Sequence, residues 1–309
     1  MESEFIEWLR SRLAPSSAVD VGIGDDAAVL KQLDERCVIT SDMLMDGVDF
    51  VLEEVDPCRV GRKALAVNLS DIAAMAARPV AAIVSLALPR DDGLTVAKRI
   101  YDGLLPLASE MGVAVAGGDT NSWDQPLAIS ITLIGVVGPR GPLLRNGGRP
   151  GDEILVTGSF GGSILGRHFD FQPRVEEAIV LRERYDLHAG IDVSDGLSLD
   201  VARLAAGSNC GAVIDLDAVP VAPQASQLTG RHCGQTWSPL EHALRDGEDF
   251  ELVLAVPAVE TSRMLDEQPL DVPLTRIGRL IQQPGLWQAN GGELLPLEPQ
   301  GYQHQLEQQ

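Results

Sequence analysis

Short apolar stretches rich in Val, Ile and Leu recur along the chain and alternate with longer segments whose apolar residues repeat at helical spacing. Stretches of this kind, bounded by Gly, Pro or Asp, are typical of strands. They predict strands over residues 37–41, 80–88, 113–116, 127–137, 153–157, 189–193, 212–216, 250–256 and 274–281. Helical periodicity predicts helices over residues 1–12, 56–77, 93–111 and 196–206. The alternation favours a mixed α/β protein.

A cluster of Gly and Pro interrupts this pattern between residues 138 and 151. Such breakers mark loops and domain boundaries. We therefore predict an N-terminal domain over residues 1–145 and a C-terminal domain over residues 146–309. Strands and helices occur on both sides, so each half is expected to have a sheet of its own.

Composition narrows the class of protein. The chain has 309 residues, 45% of them apolar, and a net charge of −21, which disfavours nucleic acid and anionic membranes as partners. No apolar stretch approaches the roughly 20 residues that span a bilayer, and the N-terminus lacks the features of a signal peptide. We expect a cytoplasmic protein. The four cysteines have no metal-ligand spacing and are expected to be reduced thiols.

Acidic segments recur where apolar runs stop. They are residues 24–26, 41–42, 70–71, 118–119 and 192–196. Two carboxylates 4 Å apart repel by about 4 kcal/mol at an effective dielectric near 20, and a bound divalent cation reverses that cost. If the fold brings these segments together, the sequence predicts magnesium.

Asp71 is the most informative of these acids, because its predicted helix is apolar on nearly every side. A helix of that kind is buried, and a buried carboxylate must be paired, hydrogen-bonded or metal-bound. A bond to a neighbouring backbone group or to an Arg is the alternative. Each other segment, taken alone, is equally compatible with a turn or a helix cap. The Gly-rich residues 158–163 are compatible with an anion site at a helix N-terminus or with a purely structural loop.

Taken together and in order, these motifs resemble the thiamine-monophosphate kinase family of the aminoimidazole-ribonucleotide synthetase-like ATP-binding superfamily. The motifs are residues 22–28 (GIGDDAA), 41–42, 46–50 (DGVDF), 63–75 (KALAVNLSDIAAM), 117–120 (GGDT), 192–197 (DVSDGL) and 247–252 (GEDFEL). The resemblance implies a two-domain fold, with an N-terminal mixed sheet with helices and a C-terminal α+β domain. It also implies a homodimer joined through the N-terminal sheets.

The resemblance also implies a site. Its implied magnesium ligands, for several ions, are Asp26, Ser41, Asp42, Asp71, Asp119, Asp192 and Asp195. Its implied ATP contacts are Gly118, Asp119, Arg145 and Ser194, and its implied substrate contacts are Asp49, Glu248 and Tyr302. The implied reaction moves the γ-phosphoryl group of ATP onto thiamine monophosphate. A phosphate acceptor is already ionised at neutral pH, so no general base is expected.

Two departures from the family pattern keep alternatives open. Position 49 is usually His in the family and is Asp49 here, and the segment between Gly166 and Ala189 is shorter than usual. A different ATP-dependent enzyme of the same superfamily is one alternative. A regulator that binds ATP or thiamine phosphates without turnover is another. An acidic interaction protein with only solvated charges is a third, but it leaves Asp71 unexplained.

Overall fold

The computed structural model describes residues 2–13, 16–21, 23, 29–30, 36–228, 231–232, 235–290 and 293–303. The chain forms two compact units. Unit 1 comprises Met1–Ile72 and Ala77–Gly141, and unit 2 comprises Ala73–Ala76 and Pro142–Gln309. The predicted boundary at residue 145 lies in the same Gly- and Pro-rich stretch as the division after Gly141. The assignment of residues 73–76 to unit 2 was not predicted.

The helices in chain order are α1 (Glu2–Arg12), α2 (Pro57–Ala74), α3 (Gly93–Glu110), α4 (Arg167–Asp170), α5 (Val175–Arg184), α6 (Leu197–Gly207), α7 (Pro239–Arg245) and α8 (Ala258–Glu267). All four predicted helices are present. At the start of α2 the Cys58 N–H donates to Asp56 Oδ1 at 2.9 Å, so Asp56 caps the helix ahead of Pro57 as expected. In the described part of the chain, no helix is both long and apolar enough to cross a membrane.

The strands in chain order are β1 (Val19–Val21), β2 (Val29–Leu30), β3 (Cys37–Met45), β4 (Ala77–Pro89), β5 (Ala114–Trp123), β6 (Ala128–Val137), β7 (Glu153–Thr157), β8 (Ala189–Asp192), β9 (Gly211–Ile214), β10 (Arg231–His232), β11 (Gln235–Thr236), β12 (Leu252–Val256), β13 (Leu274–Ile281), β14 (Gly285–Asn290) and β15 (Glu293–Pro296). All nine predicted strands are present. The hairpin of β14 and β15 was missed because its sequence is short and only weakly apolar.

Unit 1 contains a four-stranded mixed sheet in the order β3-β6-β4-β5. Only β4 and β5 are parallel. Buried residues of α2 and α3 supply the core on one face of this sheet. The two helices touch through glycines: a Cβ at Gly61 would lie 1.9 Å from the Ile100 carbonyl oxygen, and one at Gly103 would lie 1.7 Å from that of Cys58. The helix backbones therefore pack in direct contact.

Unit 2 contains a seven-stranded mixed sheet in the order β15-β14-β9-β13-β7-β12-β8. Its core lies largely between this sheet and α6, with Ile154, Ile191, Val201 and Val253 fully buried. Two mixed sheets with helices confirm the predicted fold class.

Several predicted strand ends differ from the structure: β4 begins at Ala77 instead of 80, β9 ends at Ile214 instead of 216, and two further differences concern site residues. β3 continues to Met45, so Ser41 and Asp42 lie inside the strand and not after it. β5 likewise continues through the glycines at 117 and 118 to Trp123. In both cases a neighbouring strand supplies hydrogen bonds that outweigh a local turn signal. β12 begins only at Leu252, because Phe250 has a left-handed backbone.

Candidate functional site

Asp42 lies on the face of β3 that packs against α2. Its main-chain N–H donates to Asn68 Oδ1 at 3.2 Å, and the Asn68 amide donates to the Ala64 carbonyl at 3.0 Å within the helix. Two residues earlier on the same face, the Thr40 hydroxyl donates to the Asp71 carboxylate. Residues alternate between the faces of a strand, so Thr40 and Asp42 point the same way. Thr40 was not identified from the sequence. Its spacing of two residues from Asp42, at the end of a predicted strand, could have placed it on the same face.

The surroundings of Asp42 disfavour its negative charge. Burial, followed by the charges of Asp71 and Asp49, raises the pKa of Asp42 to about 7. In the described part of the chain its Oδ2 atom is buried and has no hydrogen-bond partner. We call Asp42, Asp49 and Asp71 the Asp42 cluster. An unsatisfied carboxylate oxygen beside two further acids is suited to a hard cation.

Asp49 joins the cluster through the turn that follows β3. Its carboxylate accepts the Met45 N–H at 2.7 Å, and its carbonyl accepts Lys63 Nζ at 2.9 Å. Lys63 is fully buried in α2. Sequence reasoning missed it, although a lysine within an apolar helix was a visible signal.

Ser41 and Asp119 lie on the opposite face of the same sheet. The Ser41 hydroxyl is 3.0 Å from that of Thr132 on β6. Strand pairing places Asp119 of β5 in one row with Ser85 of β4, Ser130 of β6 and Met43 of β3. Met43 is exposed. Residues paired across a sheet share a face, so Asp119 points away from the Asp42 side. Within unit 1 the structure brings Asp42, Asp49 and Asp71 together, but not Ser41 or Asp119.

The two glycines before Asp119 have different roles. A Cβ at Gly118 would lie 1.9 Å from the Val84 carbonyl oxygen, whereas one at Gly117 would meet nothing within 4 Å. A side chain at position 118 would clash with the main chain of β4, so this position requires glycine. Of the two glycines, only Gly117 has open space where a side chain would be. Asp42 and Gly118 lie in one row of paired residues, three strand spacings or about 14 Å apart.

In unit 2, four predicted site residues meet between β8 and α6. The Glu248 N–H donates to the Ser194 carbonyl at 2.7 Å, and the Tyr302 N–H donates to the Asp195 carbonyl at 2.8 Å. Tyr302 is exposed. The structure therefore brings together Ser194, Asp195, Glu248 and Tyr302, although more than 100 residues separate the first from the last.

Asp192 ends β8 and is buried. Three residues on, the Asp195 carboxylate forms an ion pair with Arg203, which also bonds the buried Asp200 at 2.8 Å. No side chain caps the N-terminus of α6 at Gly196. Instead, Asp200 Oδ2 accepts the N–H groups of Asp195 and Gly196 at 3.0 and 3.1 Å. The alternative in which Ser194 or Asp195 serves only as a helix cap is therefore wrong.

Residues 158–163 form the structural loop that was one of their two interpretations. The Gly162 N–H donates to Asp246 at 2.8 Å, and the Gly161 N–H donates to both Asp249 carboxylate oxygens at 3.1 Å. These N–H groups are occupied by the protein's own carboxylates. An anion from solution would have to displace them.

Arg145 is separated from Ser194 by the length of α6. Its carbonyl accepts the Ser208 hydroxyl at 2.9 Å, just beyond the C-terminus of that helix. Ser194 precedes the N-terminus, and 11 helical residues span about 16 Å. The Arg145 side chain is exposed.

Asp26 lies outside the described residues. Among the residues that are described, no three His, Cys, Asp or Glu side chains form a group that would hold a metal ion. The Asp42 cluster is thus an acidic group with one unsatisfied oxygen, not a preformed cage. The individual ligand assignments stay predictions.

Comparison with known proteins gives consistent relatives for both units. Residues 24–137 match the family described as AIR synthase related protein, N-terminal domain, and residues 149–286 match its C-terminal domain. A thiamine-monophosphate kinase from Rhodopirellula baltica is 44% identical over 313 residues, covering 98% of this chain and 97% of that protein. The chain belongs to the thiamine-monophosphate kinase family.

Solved structures of this family have the same fold. The crystal structure of thiamine-monophosphate kinase from Stenotrophomonas maltophilia K279a has a TM-score of 0.79 at 34% identity, over 94% of this chain and 96% of that one. The structure titled AaThiL complexed with AMPPCP and TMP has a TM-score of 0.76 at 26% identity, over 97% and 95% of the two chains. Asp49, a predicted departure from the family pattern, lies inside the Asp42 cluster.

Proposed function

We propose that this chain transfers the γ-phosphoryl group of ATP to the phosphate of thiamine monophosphate, giving thiamine diphosphate and ADP. Membership of the thiamine-monophosphate kinase family supports the reaction, and one relative was crystallised with an ATP analogue and TMP. The observation that carries the proposal is the buried Oδ2 of Asp42, which has no hydrogen-bond partner among the described residues and lies beside the charges of Asp71 and Asp49.

Magnesium fits this donor set, because carboxylate oxygens are the ligands that it prefers. The residues that would hold it are Asp26, Ser41, Asp42, Asp71, Asp119, Asp192 and Asp195. Bound magnesium supplies positive charge against which phosphate oxygens can be placed. Without such charge the Asp42 cluster would repel a polyphosphate.

The chain's own part in the reaction is positioning. The acceptor phosphate is already ionised, so the barrier is the mutual repulsion of anions and no proton has to be removed. The proposed ATP contacts are Gly118, Asp119, Arg145 and Ser194, and the proposed acceptor contacts are Asp49, Glu248 and Tyr302. Arg145 is suited to a bidentate phosphate contact.

We also propose that the protein forms a homodimer through the face of the unit 1 sheet that carries Ser41 and Asp119, opposite to the Asp42 side. We propose that it acts in the cytoplasm. Apolar side chains on this face are exposed: Ile39 by 68%, Met43 by 62%, Met45 by 41% and Ile83 by 40%. Contiguous exposed apolar residues of this kind mark interaction surfaces. A second copy on this face would also enclose Ser41 and Asp119, the two predicted ligands that point away from the Asp42 cluster.

Binding without turnover is the second candidate function. It is favoured by Asp49, because this proposed acceptor contact is negatively charged and its carboxylate already accepts the Met45 N–H. A phosphorylated acceptor would meet an acid here, where the family usually has His. A regulator would tolerate the resulting loss of turnover.

One assay separates the two candidates. ADP release from ATP is measured with thiamine monophosphate, with other phosphorylated acceptors and with no acceptor, over a magnesium titration. The kinase is expected to release ADP only when both thiamine monophosphate and magnesium are present. Tight binding of thiamine monophosphate without ADP release would support the regulator, and release with a different acceptor would reject the proposed substrate.

A further inference from the structure

The turn that carries Glu248 has an unusual backbone. We call residues 247–250 the Glu248 turn. The φ angle is 52° at Glu248 and 51° at Phe250, and it is 74° at Gly247. A non-glycine residue in this left-handed region costs on the order of 1–3 kcal/mol and persists only where its surroundings hold it there. Contacts, not backbone preference, therefore maintain this turn.

Main-chain hydrogen bonds hold both of the strained residues. The Glu248 N–H donates to the Ser194 carbonyl at 2.7 Å, and the Phe250 N–H donates to the Val193 carbonyl at 2.8 Å. The Ser163 hydroxyl donates to the Glu248 carbonyl at 2.7 Å. These contacts tie the Glu248 turn to the segment after β8 and to the Gly-rich loop of residues 158–163.

Asp249 lies between the two strained residues and provides the charged contact. It is only 1% exposed. Its carboxylate accepts the Gly161 N–H and forms an ion pair with Arg167, which also donates to the Ser159 carbonyl at 3.0 Å. Arg167 thus holds the turn and the Gly-rich loop at once. Because Asp249 is buried, it can affect a ligand only through its neighbours.

Gly161 permits this arrangement. Its φ angle is 91°, and a Cβ there would lie 2.7 Å from the Ala243 main-chain nitrogen. Only glycine brings the N–H of this loop up to the Asp249 carboxylate. The glycines of the loop therefore allow its main-chain N–H groups to reach the carboxylates of Asp246 and Asp249.

We propose that Asp249, together with Arg167, is a positioning residue that fixes the Glu248 carboxylate for the phosphorylated acceptor. The inference rests on the proposed function, in which Glu248 contacts thiamine monophosphate. Removing the charge of Asp249 weakens its link to Arg167 and allows the turn to relax to an unstrained backbone. The Glu248 carboxylate then leaves the position in which it meets the acceptor. Of the proposed ATP contacts, Ser194 bonds this turn through its main-chain carbonyl, so the expected effect on ATP binding is smaller.

The test uses Asp249→Asn with Asp152→Asn as a matched control. Asp152 is also buried, and its carboxylate likewise accepts a main-chain N–H, from Arg149 at 2.7 Å, and contacts a basic side chain, His188, at 2.8 Å. It precedes β7, whereas the Gly-rich loop follows that strand. The control therefore removes a similar buried carboxylate at the other end of β7.

The readouts are the KM values for thiamine monophosphate and for ATP, measured separately on the full-length protein. Asp249→Asn is expected to raise KM for thiamine monophosphate by about tenfold or more and to change KM for ATP by less than about twofold. Asp152→Asn is expected to lower Tm while leaving both KM values unchanged. In a Glu248→Gln background, Asp249→Asn is expected to cause no further rise, because the two residues act as one unit.

Three results would overturn the inference: unchanged KM values with only a lower Tm, an equal rise in both KM values, or additive effects in the Glu248→Gln background. If Asp249→Asn does not fold, Arg167→Lys replaces it, since it keeps the charge but lacks the second N–H that reaches Ser159. It is subject to the same three criteria. Wild-type protein that releases no ADP with thiamine monophosphate would overturn the proposed function and this inference with it.

Discussion

Buried acidic side chains differ between the two units in whether a basic side chain is bonded to them. In unit 2, buried or half-buried carboxylates have arginine partners: Asp249 with Arg167, Glu251 with Arg174, and Asp195 with Arg203. Burial raises the pKa of Asp249 in unit 2 and of Asp42 in unit 1 alike, to about 7. The Asp249 carboxylate keeps an arginine partner, whereas Asp42 Oδ2 has no partner among the described residues.

This difference separates acids that already have a counter-charge in the fold, among them the proposed magnesium ligand Asp195, from Asp42, for which we propose that a bound cation supplies it. A buried carboxylate matched by an arginine stabilises the fold only while its partner is present. A buried carboxylate without a cation costs stability and is retained where a ligand supplies the missing charge. Acid content alone does not distinguish the two cases, because both units are rich in Asp and Glu.

The largest effect is expected from Asp42→Asn. The amide keeps the shape of the side chain but removes the charge that a cation would need, so ADP release with thiamine monophosphate should fall by at least about 100-fold. The metal-free protein should become more stable, because an unfavourable buried acid is lost. Initial rates and thermal unfolding without magnesium measure the two effects. Asp124→Asn, at an exposed ion pair with Arg90, is the control and should change neither. Wild-type rates in Asp42→Asn would remove the distinction drawn here.

In unit 2 a substitution at a buried ion pair should lower stability, the opposite of the effect expected for metal-free Asp42→Asn. Arg174 donates two hydrogen bonds to the Glu251 carboxylate, at 2.8 and 2.7 Å, and Thr157 donates a third at 2.7 Å. Arg174→Ala leaves this buried acid without a cation and should lower the free energy of unfolding by about 3–5 kcal/mol, measured by urea denaturation. Arg90→Ala, which removes an exposed pair with Asp124, should cost less than about 1 kcal/mol. Equal losses in both variants would contradict the comparison.

The smallest effect is a pH dependence of magnesium affinity through Asp42. Stability should change over the same pH range in unit 2 as well, because burial raises the pKa of Asp249 to about 7. The pKa of Asp42 in the folded protein lies above its ordinary value of 3.8. Its favourable contribution to metal-free stability is therefore present below about pH 4 and is lost as the pH rises through 7. Magnesium requires the charged form, so apparent magnesium affinity should increase roughly tenfold between about pH 6 and pH 8. Thermal shifts with and without magnesium would measure it. The increase should be absent in Asp42→Asn, and a pH-independent affinity in the wild type would refute the assignment.

Sequence reasoning performed well where a local period carries the information. The limits of β7 and β13 were predicted to the residue, because Gly, Pro or Asp flank short apolar runs. It failed where a partner strand overrides a local signal. Ser41, Asp42 and Gly118 looked like the ends of strands, yet β6 and β4 extend the pairing past them.

The candidate site was predicted only in part for the same reason. The sequence identified Asp42 and Asp71, but it predicted a buried Asp71, and the structure shows this residue only half-buried. The sequence did not reveal that Ser41 lies on the other face of the sheet, that Thr40 bonds Asp71, or that Asp249 is tied to Arg167. Each of these facts depends on register or on residues far apart in the chain.

The sequence by itself determined nine of the strands and four of the helices, the two-part organisation of the chain and the family to which its motifs belong. These properties follow from side-chain period, backbone preference and motif order, which are local or additive along the chain. Only the tertiary structure decided which carboxylates acquire a counter-charge and which are left without one. Electrostatic energy depends on distance through space, and Asp249 and Arg167 are 82 residues apart while their side chains are bonded.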